Sequence, residues 1–228
     1  MFDGNWRSAV DRGLTPVGHS LRRTGITPDV ITIVGIVMSG VAALTIGAGY
    51  LRVGFLFLLL TGIPDALDGA VARASGSGSS RGAFFDSVSD RLTDALLFGG
   101  VAWHLASTEP GRIMMLPVAI MALAMFVSYQ RAKAESLGYD AKGGIMERAE
   151  RIIVLAFALL FPELLIGTLW VMLVLTAITA VQRFVKVWRQ ASQDRPLPAG
   201  RVRRQPRVRT TEPLWRQRIR ERRATRSS

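Results

Sequence analysis

Pro64-Asp65-Ala66-Leu67-Asp68-Gly69-Ala70-Val71-Ala72-Arg73, followed after an eight-residue interval by Gly82-Ala83-Phe84-Phe85-Asp86-Ser87-Val88-Ser89-Asp90, sets carboxylates into apolar surroundings. In the first segment Asp65, Asp68, Gly69, Ala72 and Arg73 recur at helical spacing and occupy one face of a helix, while Leu67, Ala70 and Val71 point elsewhere. In the second segment Gly82, Asp86 and Asp90 fall four residues apart, again on one face. Two helices can therefore present four carboxylates to one another, an arrangement that repels strongly at low dielectric and calls for cations. The donors are all oxygens, which suits Mg²⁺, Mn²⁺ or Ca²⁺ better than Zn²⁺. Two divalent ions would balance the four charges and polarise a phosphoryl group. Gly69 and Gly82 would let a nucleotide approach the backbone.

Around these segments the 228-residue chain reads as an all-α integral membrane protein with six transmembrane helices and an N-terminal interfacial amphipathic helix. The expected spans are Val30–Tyr50, Val53–Arg73, Phe84–Ser107, Ile113–Ala134, a short Glu147–Phe161 and Leu164–Trp188. Phe2–Leu21 mixes Trp6, Val10, Leu14 and Val17 with charges, as a helix lying on the inner leaflet would. Basic residues alternate between connections: Arg22, Arg23, Arg73, Arg81, Arg131, Lys133, Lys142 and Arg148 on one side, Arg52 and Arg112 on the other. The positive-inside rule then places both termini in the cytoplasm, with Tyr50, Trp103 and Trp170 at the outer interface. The expected organisation is residues 1–26 as interfacial helix and connection, 27–190 as membrane domain and 191–228 as a basic, disordered tail. No secretory signal is expected.

The formal charge of +12 is not spread along the chain. Arg183–Ser228 holds 15 basic and 3 acidic residues, whereas Met1–Gln182 holds 14 of each. We read the tail as lying against anionic lipid and not as a nucleic-acid module. The absence of Cys excludes a disulfide scaffold, a Cys zinc site and a thiol nucleophile, and the count of two His weighs against a multi-His metal site. Alternatives for the acidic face are intramembrane ion pairs (Asp68 with Arg73, Asp90 with Arg91 or Arg81) and the ion path of a transporter. The full spacing of the eight positions from Asp65 to Asp90 weighs against both.

That spacing resembles the complete signature of the CDP-alcohol phosphotransferase family, membrane enzymes that transfer a substituted phosphate from a CDP-linked donor to an alcohol and release CMP. The resemblance covers roughly residues 27–183. It implies a six-helix bundle, a homodimer and a two-metal site in which Asp65, Asp68, Asp86 and Asp90 ligate Mg²⁺, with Mn²⁺ able to substitute. It further implies that Asp90 is the base that activates the acceptor hydroxyl. Asp29, Thr32, Gly69, Ala72, Arg73 and Ser79 would contact the CDP moiety of CDP-diacylglycerol. Asp94 continues the helical face outside the signature, and we expect it to serve helix packing.

The acceptor is read from the inner ends of spans four to six, which carry Ser128, Arg131, Lys133, Arg148, Arg151 and Arg183. Choline or ethanolamine would want carboxylates or aromatics. A set of guanidiniums instead favours an acceptor that already bears phosphate, such as inositol phosphate or glycerol phosphate. Lys133 and Lys142 are explained by membrane topology alone, whereas Arg151 and Arg183 lie inside apolar sequence. Glu147 and Glu150 are expected to orient Arg148 and Arg151 through local ion pairs. SYQRAKAE, GGIMERAERIIV and AVQR are similar to the branch of the family that makes phosphatidylinositol phosphate in actinobacteria. That resemblance assigns Ser128, Arg131, Arg148, Arg151 and Arg183 to an inositol phosphate pocket. It implies transfer of the phosphatidyl group of CDP-diacylglycerol to 1D-myo-inositol 3-phosphate at the cell membrane of an actinobacterium. Phosphatidylglycerophosphate synthesis from glycerol 3-phosphate stays open beside it, as does, from another class, ion transport.

Overall fold

The structure, a computed structural model, describes residues 28–61 and 80–193. Asp65, Asp68, Gly69, Ala72, Arg73 and Ser79 lie outside the described residues, as do the expected interfacial helix and the tail beyond residue 193. Among the described residues the chain is helical with no strand: α1 (Pro28–Gly47), α2 (Leu51–Thr61), α3 (Ser80–Thr108), α4 (Met115–Leu137), α5 (Arg148–Leu160), a 3₁₀ turn (Pro162–Leu164) and α6 (Leu165–Gln193). Three of these helices are long and apolar enough to cross a membrane: Asp29–Gly47, Met115–Leu137 and the stretch Pro162–Gln193. α5 has 13 residues and reaches about 20 Å, short of a bilayer core of about 30 Å. α3 starts at Ser80 rather than near Phe84, so the helix takes in Arg81 and Gly82.

Each helix buries one stripe at a spacing of three to four residues. On α3 it runs Ser89, Thr93, Asp94, Leu97, Phe98, Val101 and Leu105; on α4, Leu116, Ile120, Ala124 and Val127. On α5 it runs Arg151, Leu155, Ala158 and Leu159; on α6, Leu169, Met172, Thr176, Thr179, Ala180 and Arg183. The stripes of α3, α5 and α6 are apolar at one end and polar at the other, whereas that of α4 is apolar throughout. That gradient creates the site. The opposite faces carry Val34, Leu44, Phe126, Ile153, Val171 and Val181, all exposed. Such faces are a liability in water and ordinary against lipid tails. Tyr50, Trp103 and Trp170 are exposed as well.

Several hydroxyls inside the bundle are satisfied locally, whereas the buried Ser89 Oγ on α3 has no hydrogen-bond partner among the described residues. Ser39 donates to the Ile36 carbonyl at 2.7 Å, Thr61 to Leu58 at 2.7 Å and Thr176 to Met172 at 2.7 Å. Each is a turn-back bond that leaves no polar group unpaired in an apolar environment.

α1 and α3 pack closely because Gly100 faces the Ala43 backbone: a Cβ built on Gly100 would lie 2.7 Å from Ala43 Cα. Adjacent Gly99 has open space at the same point. Gly100→Leu is therefore expected to separate the helices and lower stability by about 1–3 kcal/mol. Thermal unfolding in detergent should show a clear fall in Tm for Gly100→Leu and none for Gly99→Ala. Equal melting of both variants would contradict the packing.

Candidate active site

At the polar end the helices surround an open cavity of about 970 Å³, at the upper end of the range for small-molecule sites. Its wall includes Asp86 and Asp90 from α3, Ser128 and Arg131 from α4, Arg148 and Arg151 from α5, and Arg183 from α6. Every acceptor residue expected from the sequence thus faces one space, together with the two described aspartates of the signature. Asp86 and Asp90 also border a small polar notch formed with Thr32, Thr61, Ser89 and Thr93. The carboxylates stand between the notch, which holds one expected nucleotide contact, and the cavity, which holds the arginines. Asp29, the other described nucleotide contact, receives Arg81 at 2.8 Å.

Electrostatics explains the buried arginines. Arg151 has 2% of its side chain exposed, a state tolerable for a guanidinium only with a fixed counter-charge. Asp94, also buried, supplies it at 3.1 Å through Oδ2, and the Met146 carbonyl accepts a longer bond at 3.4 Å. Arg148 lies 3.2 Å from Asp90 and 3.5 Å from Asp94. Asp94 is thus more than the helix-packing residue expected from the sequence. It lines the cavity and fastens two arginines of α5 to α3. Its Oδ1 has no hydrogen-bond donor among the described residues. Arg91 stands 3.6 Å from Asp90, a looser contact.

The expected local pairing of Glu147 with Arg148 or Arg151 is also corrected. Glu147 receives Arg183 from α6 at 2.6 Å and the Gly143 N–H at 3.1 Å. Arg183 further donates through Nε to the Gly143 carbonyl (3.0 Å) and through Nη1 to the Val127 carbonyl (3.1 Å). Glu150 is in no ion pair with any described residue, and its Oε2 is buried without a hydrogen-bond partner. Arg131 pairs with Glu135 one turn along its own helix at 2.9 Å, and both line the cavity.

The connection from α4 to α5 is held against α6 by a ladder of contacts. Thr179, Arg183, Lys186 and Gln190 fall on one face of α6. In that order they meet the Met146 N–H at 2.9 Å, the Gly143 carbonyl, the Lys142 carbonyl at 2.7 Å and the backbone of Asp140. Gly144, at φ 147°, approaches Thr179 so closely that any Cβ would collide with it. Lys186 also reaches the Asp140 carboxylate at 2.8 Å. That ammonium, joined by the Lys142 N–H, holds the Asp140 carboxyl below the usual carboxylate range. A depressed carboxylate supports the fold above its unfolded pKa and loses that support as pH falls through the lowered value, so this rung is intact at neutral pH. The ladder fixes the start of α5, and with it Arg148 and Arg151.

The donor set suits a hard cation. Asp86 and Asp90 lie one turn apart and border one cavity. Among the described residues no group of three or more His, Cys, Asp or Glu converges on a point, and the expected partners Asp65 and Asp68 lie outside them. The described half of the set offers oxygens only, as Mg²⁺ or Mn²⁺ prefers. For the Asp94–Arg151 pair we expect Asp94→Ala to lose about 3–5 kcal/mol, since it leaves the buried Arg151 without its counter-charge, and Arg151→Met to lose less, since Asp94 keeps Arg148 at 3.5 Å. The double variant should lose clearly less than the sum. Thermal or denaturant unfolding in detergent measures this coupling, and strict additivity would contradict it.

The CDP-alcohol phosphatidyltransferase family model matches residues 25–188. A phosphatidylinositol phosphate synthase of Mycobacterium marinum is 36% identical over 208 residues, covering 86% of this chain and 89% of that one. Two crystal structures of the Mycobacterium tuberculosis phosphatidylinositol phosphate synthase are similar to the chain. The complex with manganese and citrate has a TM-score of 0.75 at 34% identity, covering 81% of this chain and 93% of that one. The form with CDP-DAG bound has a TM-score of 0.75 at 33% identity, covering 82% of this chain and 99% of that one. A family match over most of its length, together with these likenesses, places the chain in the CDP-alcohol phosphatidyltransferase family.

Proposed function

We propose that the protein transfers the phosphatidyl group of CDP-diacylglycerol to 1D-myo-inositol 3-phosphate, giving phosphatidylinositol phosphate and CMP. One observation carries this reading within the family: Asp90 shares a cavity wall with Ser128, Arg148, Arg151 and Arg183. A carboxylate able to take a hydroxyl proton thus faces the guanidiniums that suit a phosphate-bearing acceptor. The acceptor phosphate seats on Ser128 and the arginines, which puts a ring hydroxyl toward Asp90. Asp90 takes the hydroxyl proton. The oxygen attacks the β-phosphorus, a new P–O bond forms and the bond to the CMP oxygen breaks. Asp29, Thr32, Gly69, Ala72, Arg73 and Ser79 hold the nucleotide, and the acyl chains stay in the bilayer. Arg148 and Arg151, pinned by Asp94, fix the acceptor's orientation, so the reacting atoms meet without a large entropic penalty.

Asp65, Asp68, Asp86 and Asp90 would hold two Mg²⁺ ions, replaceable by Mn²⁺, that supply charge neutralisation and polarise the donor diphosphate. In this reading the chain has six spans, both termini in the cytoplasm and an interfacial helix at residues 1–26, and it works as a homodimer. Residues 27–190 form the membrane domain, and the basic tail from residue 191 lies along anionic headgroups.

CMP release by the purified protein with CDP-diacylglycerol and Mg²⁺ tests the assignment, with inositol phosphate, glycerol 3-phosphate or free inositol added separately. Turnover with inositol phosphate alone is expected, with Asp90→Asn reducing it by about two orders of magnitude or more. Turnover with glycerol 3-phosphate instead would move the chain to phosphatidylglycerophosphate synthesis. CMP release by folded Asp90→Asn at the full rate would refute the assigned base.

A further inference from the structure

The cavity wall holds more carboxylate than a phosphate subsite needs. Asp90, Asp94, Glu135 and Glu147 each contact an arginine. Glu150, in the same wall and one residue from Arg151, contacts none of the described cations, and its Oε2 is buried without a donor. Asp94, 5% exposed, likewise keeps Oδ1 without a hydrogen bond, although Arg148 is 3.5 Å away. A buried carboxylate oxygen with no donor is costly, and a ligand that brings O–H groups relieves that cost. A phosphate dianion cannot supply them, whereas the hydroxyls of a polyol ring can.

Resting on the proposed acceptor, we infer that Glu150 Oε2, with Asp94 Oδ1 beside the arginines, forms a hydroxyl-reading subsite. It selects a polyhydroxylated ring phosphate over a short-chain one. The arginines and Ser128 bind what inositol phosphate and glycerol 3-phosphate share. Glu150 binds a ring hydroxyl that a three-carbon chain does not place there: inositol phosphate has four hydroxyls that neither carry phosphate nor attack the donor, whereas glycerol 3-phosphate has one, on its central carbon. A site built to accept hydrogen bonds from a hydroxyl rejects the analogue lacking it, because the buried acceptor is then left unpaired.

The test uses the full-length protein in detergent with CDP-diacylglycerol, Mg²⁺, inositol phosphate and a series of monodeoxy inositol phosphates. For the native protein one deoxy analogue should lose about tenfold or more in kcat/KM, the scale of a hydrogen bond to a charged acceptor. Glu150→Ala should lose a similar factor with inositol phosphate through KM, keep its KM for CDP-diacylglycerol, and no longer distinguish that analogue from the parent. Glu150→Gln, which retains one carbonyl acceptor, should fall between the two and guards against a variant that fails to fold. A variant that discriminates every deoxy analogue as the native protein does would overturn the inference, as would an unchanged KM for inositol phosphate. Failure of the native protein to use inositol phosphate at all removes the acceptor reading itself and is seen before any variant is made.

Discussion

The contact between Asp94 on α3 and Arg151 on α5 is the constraint on which the rest of the site depends. Arg151 occupies the buried stripe of α5, one turn before Leu155. A guanidinium there is untenable without a counter-charge at a fixed point. Asp94 meets the demand, and its position sets which turn of α3 faces which turn of α5. The consequence one turn away is that Arg148 reaches Asp90. A buried ion pair contributes little net stability against an apolar replacement, so its value lies in register. It brings an acidic helix and a basic helix together with their charged turns aligned.

The ladder along α6 performs the complementary task. Without it the connection after α4 would leave α5 free to slide, and Arg183 would lose the Gly143 carbonyl and Glu147. With it, three helices deliver arginines to one space while their opposite ends stay apolar. The polarity gradient along the buried stripes of α3, α5 and α6 matches a reaction in which one substrate is a lipid and the other arrives from water. Chemistry then belongs where the stripes turn polar, within reach of both.

Much of this is legible in the sequence, for physical reasons. The aspartates of α3 recur every four residues, so their common face follows from helix geometry alone. Arg151 and Arg183 stand out because charge inside apolar sequence demands a purpose. What cannot be read is partnership across the fold. Asp94 and Arg151 are separated by 57 positions, and Glu147 and Arg183 by 36. Local spacing favours pairs within one helix; tertiary packing instead joins Glu147 to α6 and leaves Glu150 without an ion pair among the described residues. The start of α3 is hidden because the stretch from Ser75 to Arg81, rich in Gly and Ser, reads as loop, while the helix begins at Ser80. Asp94 is easily underrated because it lies beyond the last signature aspartate, although it continues the same face by one more turn.

The central claim is that the α3 aspartates and the arginines of α5 and α6 form one site, with cation and acceptor phosphate held side by side. Crystals of the full-length protein grown with Mn²⁺ and inositol phosphate, measured at the manganese absorption edge, test it most directly. Anomalous peaks are expected in direct coordination with Asp86 and Asp90, and phosphate density against Arg148, Arg151 and Arg183. Manganese away from these carboxylates, or phosphate bound outside the cavity, would contradict it.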